Sequence, residues 1–364
     1  MTGETFPPLS LAHRPELFAA IAARPPDPEI PLRAAVFGDR PGWLVADYPM
    51  ARRLLTSTAG RKSRPDASQT LLGGVGAQRG ARVRDTKRLL IHAMGGEARD
   101  SRRLGDHLRG ALRGWGAGAA PGRLTEAFST ALLTQLTGGR PGALDGDRLR
   151  ALVLATWERL EHPHAAASRS GLGTDDDLAA FIHRLVGAGR SPFLDVLRAD
   201  GWDDRRVTEE LRSMLLAGWG STTAATVTAM TLGLRAPLAP AALDEVLRLC
   251  PPSFMIARTV TERSAAGPFA PGDLVVASPW LIHRNAAGWH DPLRFDPERR
   301  PAAGTQRWFL PFGAGPRRCP AATFARAHVQ AALRELAPEE RPCDDPAPVL
   351  IEGRSPALRS RTAD

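Results

Sequence analysis

The sequence predicts a mainly α-helical protein with a minor β part near both ends. Three observations carry this. Apolar residues recur at helical spacing in segments 83–94, 102–115, 121–138, 146–160, 175–188, 241–249 and 326–336. Short strand-like runs stand at Trp43–Tyr48, Ile256–Val260 and Leu274–Ala277. The composition, 43% hydrophobic and 24% charged over 364 residues, holds ample apolar material for a large core. It excludes disordered, collagen-like and disulfide-scaffold chains.

In chain order, the N-terminus lacks the basic and apolar regions of a signal peptide. The strand at Trp43–Tyr48 leads into a helix over about 49–55, and Gly-rich residues 68–82 read as a long loop. The helix over 83–94 has a strongly basic face. Asp203 and Asp204 cap a helix that begins near Arg205 and runs, with room for a kink, into Ser213–Leu234. That stretch has no charge and is long enough to span a bilayer. Its Thr, Ser and Gly content and lack of flanking aromatics make it a buried helix of a protein that does not enter a membrane. Pro237 and Pro240 break the pattern before the helix over 241–249. Residues 284–318 are rich in Pro and Gly with little regular structure, and such a stretch inside a compact chain is usually functional.

The charge balance is +9, almost all of it from arginine. Lysine occurs only at Lys62 and Lys87 and asparagine only at Asn285, a bias of GC-rich, actinobacterial-type coding. No basic block interleaved with aromatics points to nucleic acid. Cys250, Cys319 and Cys343 are too few and too scattered for a disulfide framework or a four-cysteine zinc site, and an unpaired cysteine fits a reducing cytoplasm.

The informative segment is Phe309–Arg326. Gly313 and Gly315 permit a tight backbone and close approach to a flat partner. Cys319 stands at a predicted helix start, where free N–H groups favour a thiolate, with Pro320 at the first helical position. Arg317 can meet an anionic group on the same partner. Thiolate, close backbone and cation together describe a site for iron porphyrin.

Phe312, Gly315, Arg317, Cys319 and Ala321, followed by Ala325-Arg326, resemble the heme-binding signature of cytochromes P450. Glu245-Val-Leu-Arg248 resembles the Glu-x-x-Arg of that family's K helix, and Phe295-Asp-Pro-Glu-Arg299 its downstream segment. Ala270-Pro-Gly-Asp and His283-Arg-Asn also resemble family segments. The likeness is dense over about 205–334 and traceable over 43–94.

The resemblance implies a single cytochrome P450 domain over 1–364. Its β-containing part would be about 1–60 and 253–282, its helical, heme-binding part about 83–250 and 284–336, with a long central helix over the heme. It implies heme b, with Cys319 as the axial ligand of the iron. Phe312, Gly313, Arg317, Arg258, Lys87 and Arg84 would make further cofactor contacts. Glu245, Arg248 and Arg299 would form a structural charge triad. Ala217, Gly218, Ser221 and Thr222 would lie where oxygen is activated. Met214, Phe254, Met255, Ile256 and Leu72, with the turn near 351–354, would line the substrate pocket.

Three departures stand out. The acid–alcohol pair of the family's long helix is replaced by Gly220 and Ser221. The stretch from Thr223 to Glu245 is short by on the order of a dozen residues against the family pattern. The family's His or Trp that binds a propionate falls on Val83. The expected protein is a monomeric, cytoplasmic oxidoreductase of a small molecule in secondary metabolism, either a monooxygenase or an oxidative cyclase. It would hydroxylate, couple or desaturate its substrate. A ferredoxin or flavodoxin would deliver electrons to a face with Arg61, Arg88, Arg318 and Arg326. The alternatives are a heme-thiolate isomerase, dehydratase or peroxide-dependent enzyme, and a non-catalytic partner protein.

Overall fold

A computed structural model of the chain describes residues 5–9, 13–24, 31–62, 81–112, 121–140, 142–161, 177–263, 267–299, 308–336, 343 and 345–360. These form two compact units. One comprises 1–65, 238–319 and 344–364, the other 66–237 and 320–343.

The first unit is built on a six-stranded sheet. Its strands are β1 (Thr5–Phe6), β2 (Pro31–Phe37), β3 (Arg40–Val45), β4 (Gly60–Lys62), β5 (Ile256–Val260) and β6 (Leu274–Ala277), in the order β1-β2-β3-β6-β5-β4. β3 pairs parallel with β6, and β5 antiparallel with both β4 and β6. β6 is buried at every position, as its unbroken Leu-Val-Val-Ala predicts for a strand covered on both faces. Helix α1 (Arg14–Ala22) lies between β1 and β2, α2 (Tyr48–Thr56) follows β3, and the short α12 (Pro279–Ile282) follows β6. The Asp47 carboxylate caps α2 by accepting from Met50 N–H at 2.6 Å. Leu54, Leu55, Val260, Val275, Ile282 and Leu310 share one apolar core. A C-terminal hairpin, β7 (Pro346–Ile351) and β8 (Ser355–Ser360), completes the unit's strands.

The second unit is helical: α3 (Ala81–Arg99), α4 (Ser101–Ala111), α5 (Pro121–Thr137), α6 (Gly146–Glu161), α7 (Asp177–Ala188), α8 (Pro192–Ala199), α9 (Asp204–Gly218), α10 (Ser221–Thr231) and α13 (Ala322–Leu336). Helix α13 packs on α3, α4 and α10. Beneath it lies a buried polar network. Glu97 is ion-paired to Arg103 at 3.0 Å. The Gln135 amide donates to the Glu97 carboxylate at 3.3 Å, so its carbonyl faces His328 Nε2 at 3.4 Å. The Thr134 hydroxyl donates to Thr130 O, which leaves His107 Nδ1 as the donor to Thr134 Oγ1 at 3.0 Å. Each imidazole thus donates one N–H within this network. Burial is the main cause that lowers His107 to about 4 and His328 to about 3.

Two expectations change here. The uncharged stretch is not one helix: α9 ends at Gly218, Gly220 takes φ +82°, and α10 restarts at Ser221. Helical spacing therefore does not relate Ala217 to Ser221. Helix α13 begins at Ala322, so Pro320 precedes the helix instead of opening it. Between α10 and α11 (Pro240–Leu249), residues 232–239 contain no helix. No described helix is long and apolar enough to cross a membrane.

Candidate functional site

The cysteine loop is built in the β-rich unit from two tight turns and one wider backbone closure. Gly313 N–H donates to Leu310 O at 3.1 Å, Arg318 N–H to Gly315 O at 3.0 Å, and Cys319 N–H to Phe312 O at 2.9 Å. Gly313 and Gly315 take φ +68° and +66°. A Cβ at Gly315 would lie 2.2 Å from Leu55 O, so the loop is pressed on the end of α2. A Cβ at Gly313 would meet only Ile256 Cδ1, at 3.5 Å, which places β5 beside the loop. None of the three cysteines forms a disulfide.

Below the loop is a buried charge cluster. Arg248 Nε and Nη2 donate to the two Glu245 oxygens at 2.7 and 2.8 Å. Nη1 donates to His283 O and Pro292 O, and Nη2 also to Arg294 O. All five guanidinium N–H groups are used in a residue that is 0% exposed. Glu245 Oε1 further accepts from Arg299 Nε at 3.1 Å and Asp296 N–H at 3.0 Å. Arg299 Nη1 donates to His290 O, and Nη2 to Asp291 O and Arg294 O. Glu245, Arg248 and Arg299 thus meet around one carboxylate.

Sequence reasoning missed the piece that joins this cluster to the cysteine loop. His283 Nε2 accepts from Leu310 N–H at 2.7 Å. Its Nδ1–H is then left to donate to Arg248 O at 3.2 Å. One imidazole ties the backbone of α11 to the root of the loop. The His283-Arg-Asn segment was the signal, but its role needs the fold.

Arg258 lies on β5, opposite Lys62 and Val275 in register. It is buried, and its only described hydrogen bond goes to Ala257 O. Burial first, then the neighbouring Arg317, lower its guanidinium to about 10. Among the described residues no carboxylate is paired with it. A buried cation beside a second cation is costly unless an anion arrives with a ligand. The two carboxylates of heme b would meet that need, so the donor set of this unit (thiol, glycine loop, two guanidiniums) fits the cofactor.

In the helical unit, Ala217 and Gly218 are exposed, and a Cβ at Gly218 would meet nothing within 4 Å. Met214, Ser221 and Thr222 are half-buried. The Ser221 hydroxyl donates to Gly218 O at 3.0 Å. Trp219 is 2% exposed, with a buried Nε1 that has no hydrogen-bond partner among the described residues. Lys87 is buried, whereas Arg84 is exposed. An exposed guanidinium stays hydrated, so Arg84 is a poorer cofactor cation than Lys87. Leu72 lies outside the described residues. Met255 and Ile256 are half-buried, but Phe254 is fully buried, with the Phe18 ring at 5.1 Å. It is a core residue, not a pocket wall.

Replacing Gly220 by Asp, to restore the expected acid, puts a side chain at φ +82°. The variant is expected to lose about 1–2 kcal/mol in urea denaturation, whereas Ser221→Thr, in helical backbone, should lose far less.

The Cytochrome P450 family model matches residues 204–336. Cyclooctatin synthase of Streptomyces melanosporofaciens is 30% identical over 168 residues, 37% of each chain. Cytochrome P450 135B1 of Mycobacterium tuberculosis is 40% identical over 99 residues, 26% of this chain and 21% of that protein. The chain thus spans well under half the length of these curated relatives. Among solved structures, the LnmA cytochrome P450 hydroxylase of Streptomyces atroolivaceus superposes with TM-score 0.67 at 20% identity, over 91% of this chain and 92% of that one. A hybrid P450, OxyBtei(BC/FGvan), does so with TM-score 0.67 at 18% identity, over 97% and 99%. The chain therefore has the cytochrome P450 fold, and its residues 204–336 match the model of the cytochrome P450 family.

Proposed function

We propose that the chain is a heme-thiolate oxidase of a small organic molecule in secondary metabolism, acting by hydroxylation, coupling or desaturation. The observation that carries this is Cys319, held on a glycine loop whose root is tied through His283 to the Glu245–Arg248–Arg299 cluster. Proteins of similar fold support the setting: LnmA is a hydroxylase of a biosynthetic pathway, and CxnD an enzyme of C–S bond formation in biosynthesis.

Heme, when bound, would supply oxygen activation, favoured by electron donation from a thiolate ligand. The chain's own residues do the rest. Cys319 Sγ would hold the iron, and its backbone N–H is spent on Phe312 O, which fixes the loop around it. Arg258 and Arg317 would neutralise the cofactor's carboxylates, and the resemblance implies the same role for Lys87. The turn at 217–222 lacks a carboxylate, and the Ser221 proton is spent on Gly218 O. Ser221 Oγ is thus an acceptor, and protons must arrive through water or the Thr222 hydroxyl.

Electrons would come from a ferredoxin or flavodoxin. A surface groove lined by Arg88, Ile91, His92, Arg99 and Thr323 supports this: it brings two arginines together with Ile91, which is 51% exposed. Such a face suits an acidic carrier.

The loss of the acid at Gly220 favours a second reading, an enzyme that does not activate oxygen. The test supplies the heme-loaded protein with ligands that shift its Soret band, under three regimes. These are reduced ferredoxin with oxygen, hydrogen peroxide, and neither. Product only with ferredoxin and oxygen is the expected result. Product with peroxide alone, or with no oxidant, would establish the second reading instead.

A further inference from the structure

Tyr48 is the single tyrosine of the chain, and it opens α2, the helix on which the cysteine loop is pressed at Gly315. Its ring stacks on Trp308, with centroids 6.1 Å apart and planes inclined by 21°. Trp308 immediately precedes the loop segment Phe309–Arg326, and Leu310 just beyond it is held by His283. The Trp308 indole packs on Gly288, where a Cβ would come within 2.4 Å of it. Its carbonyl accepts from Trp289 Nε1 at 3.1 Å. Trp289 in turn lies under Arg248, whose guanidinium carbon is 5.2 Å from the ring centre. All these residues belong to the β-rich unit.

The pair is fixed, and its phenol end is open. Tyr48 is 6% exposed, yet its hydroxyl makes no hydrogen bond among the described residues and is not among the sealed polar atoms, so it touches solvent. Burial raises its pKa, with Arg52 opposing, and the phenol keeps its proton at neutral pH. A phenol held in this way can give an electron to an oxidised neighbour and release its proton to water.

We propose that Tyr48 and Trp308 form an electron-donating pair that draws oxidising equivalents away from the cysteine loop and so spares Cys319. The proposal rests on the heme-thiolate reading above for its oxidant, hydrogen peroxide acting at the cofactor when no substrate consumes it. Peroxide takes up two electrons and two protons and leaves as two waters. One electron comes from the bound heme and the other from Trp308. Tyr48 then restores Trp308 with one electron and releases its hydroxyl proton to solvent, which leaves a neutral phenoxyl radical. The electron carrier returns one electron to the heme, and a soluble reductant such as ascorbate returns an electron and a proton to Tyr48. Without the pair, the second electron must come from another group near the iron, and a thiolate oxidises readily towards sulfinic and sulfonic acid.

The test is freeze-quenched electron paramagnetic resonance of heme-loaded, substrate-free protein mixed with hydrogen peroxide. Wild type is expected to give a tyrosyl signal, whose only source in this chain is Tyr48. Trp308→Phe, which keeps a ring in the stack but resists oxidation, should lose most of that signal. Tyr48→Phe should show a tryptophanyl signal instead, and its Cys319 should gain sulfinic or sulfonic oxygen sooner, read by mass spectrometry. No tyrosyl signal in wild type, or an undiminished one in Trp308→Phe, overturns the proposal. Azide radicals from pulse radiolysis oxidise tryptophan without any heme. Transfer to Tyr48 that slows in Trp308→Phe is expected there too, and its absence also overturns the proposal. The carbon monoxide spectrum reports the thiolate separately. A missing thiolate band with intact transfer sinks only the heme reading, and an intact band without transfer sinks only the pair.

Discussion

Replacing Glu245 by Ala is expected to destabilise the protein by about 3–5 kcal/mol, the cost of breaking a buried ion pair from one side. The carboxylate is 3% exposed and answers two guanidiniums, Arg248 at 2.7 Å and Arg299 at 3.1 Å. Its removal leaves both cations buried without a counter-charge and frees Asp296 N–H as well. Arg248→Lys tests the same cluster from the other side. It keeps the charge but cannot reproduce five N–H bonds, so three backbone carbonyls compete for fewer donors. Urea denaturation measures both. A loss under 1 kcal/mol for Glu245→Ala would contradict the account. Because His283 carries the order of Arg248 to Leu310, the Glu245 variant should also loosen the cysteine loop, read as faster hydrogen exchange at Cys319 N–H.

The second large effect is acid lability of the helical unit. His107 and His328 are held neutral by burial, at about 4 and about 3 against an ordinary 6.5. The sign follows from which state binds protons first. As pH falls through 6.5, both histidines protonate in the unfolded chain but not in the folded one, so stability drops. Above about pH 7.5 both states are neutral and the effect vanishes. Each histidine contributes about 2 kcal/mol of loss between pH 7.5 and pH 5, about 4 for the two. His328→Gln, which keeps a donor toward Gln135, should roughly halve the pH slope in urea titrations at pH 7.5, 6 and 5. A slope unchanged by that substitution would show that other groups set the acid sensitivity. Since His328 lies on α13, the helix that follows the cysteine loop in the chain, acid should loosen that helix early.

Much of the architecture was legible because its physics is local. The β-branched runs 256–260 and 274–277 are strands at those bounds, and the amphipathic segments are helices within a few residues. What escaped depended on weaker signals. Helix α8 is short, although Ser191 capping Leu194 N–H, with Pro192 at the first position, was readable. The hairpin strands β7 and β8 carry Pro346, Pro348 and Pro356, which disguised them. Strands β1 and β2 have no strong alternation. The break at Gly220 hides in an uncharged run, because a positive φ leaves no trace in hydropathy. The cysteine loop and the Glu-x-x-Arg were visible as motifs. The bond from His283 to the loop was not, since it joins residues 27 apart that only the fold brings together. Phe254 was misplaced for a related reason: an apolar side chain reads alike as core or pocket until its neighbours are known.

The central claim is that Cys319 serves as the thiolate ligand of a heme. The most direct measurement is the difference spectrum of purified protein reduced with dithionite under carbon monoxide. The account predicts the red-shifted Soret band of a cysteine-ligated heme, and its loss in Cys319→Ser protein that remains folded. Intact protein without heme, or with an unshifted band, would contradict the claim.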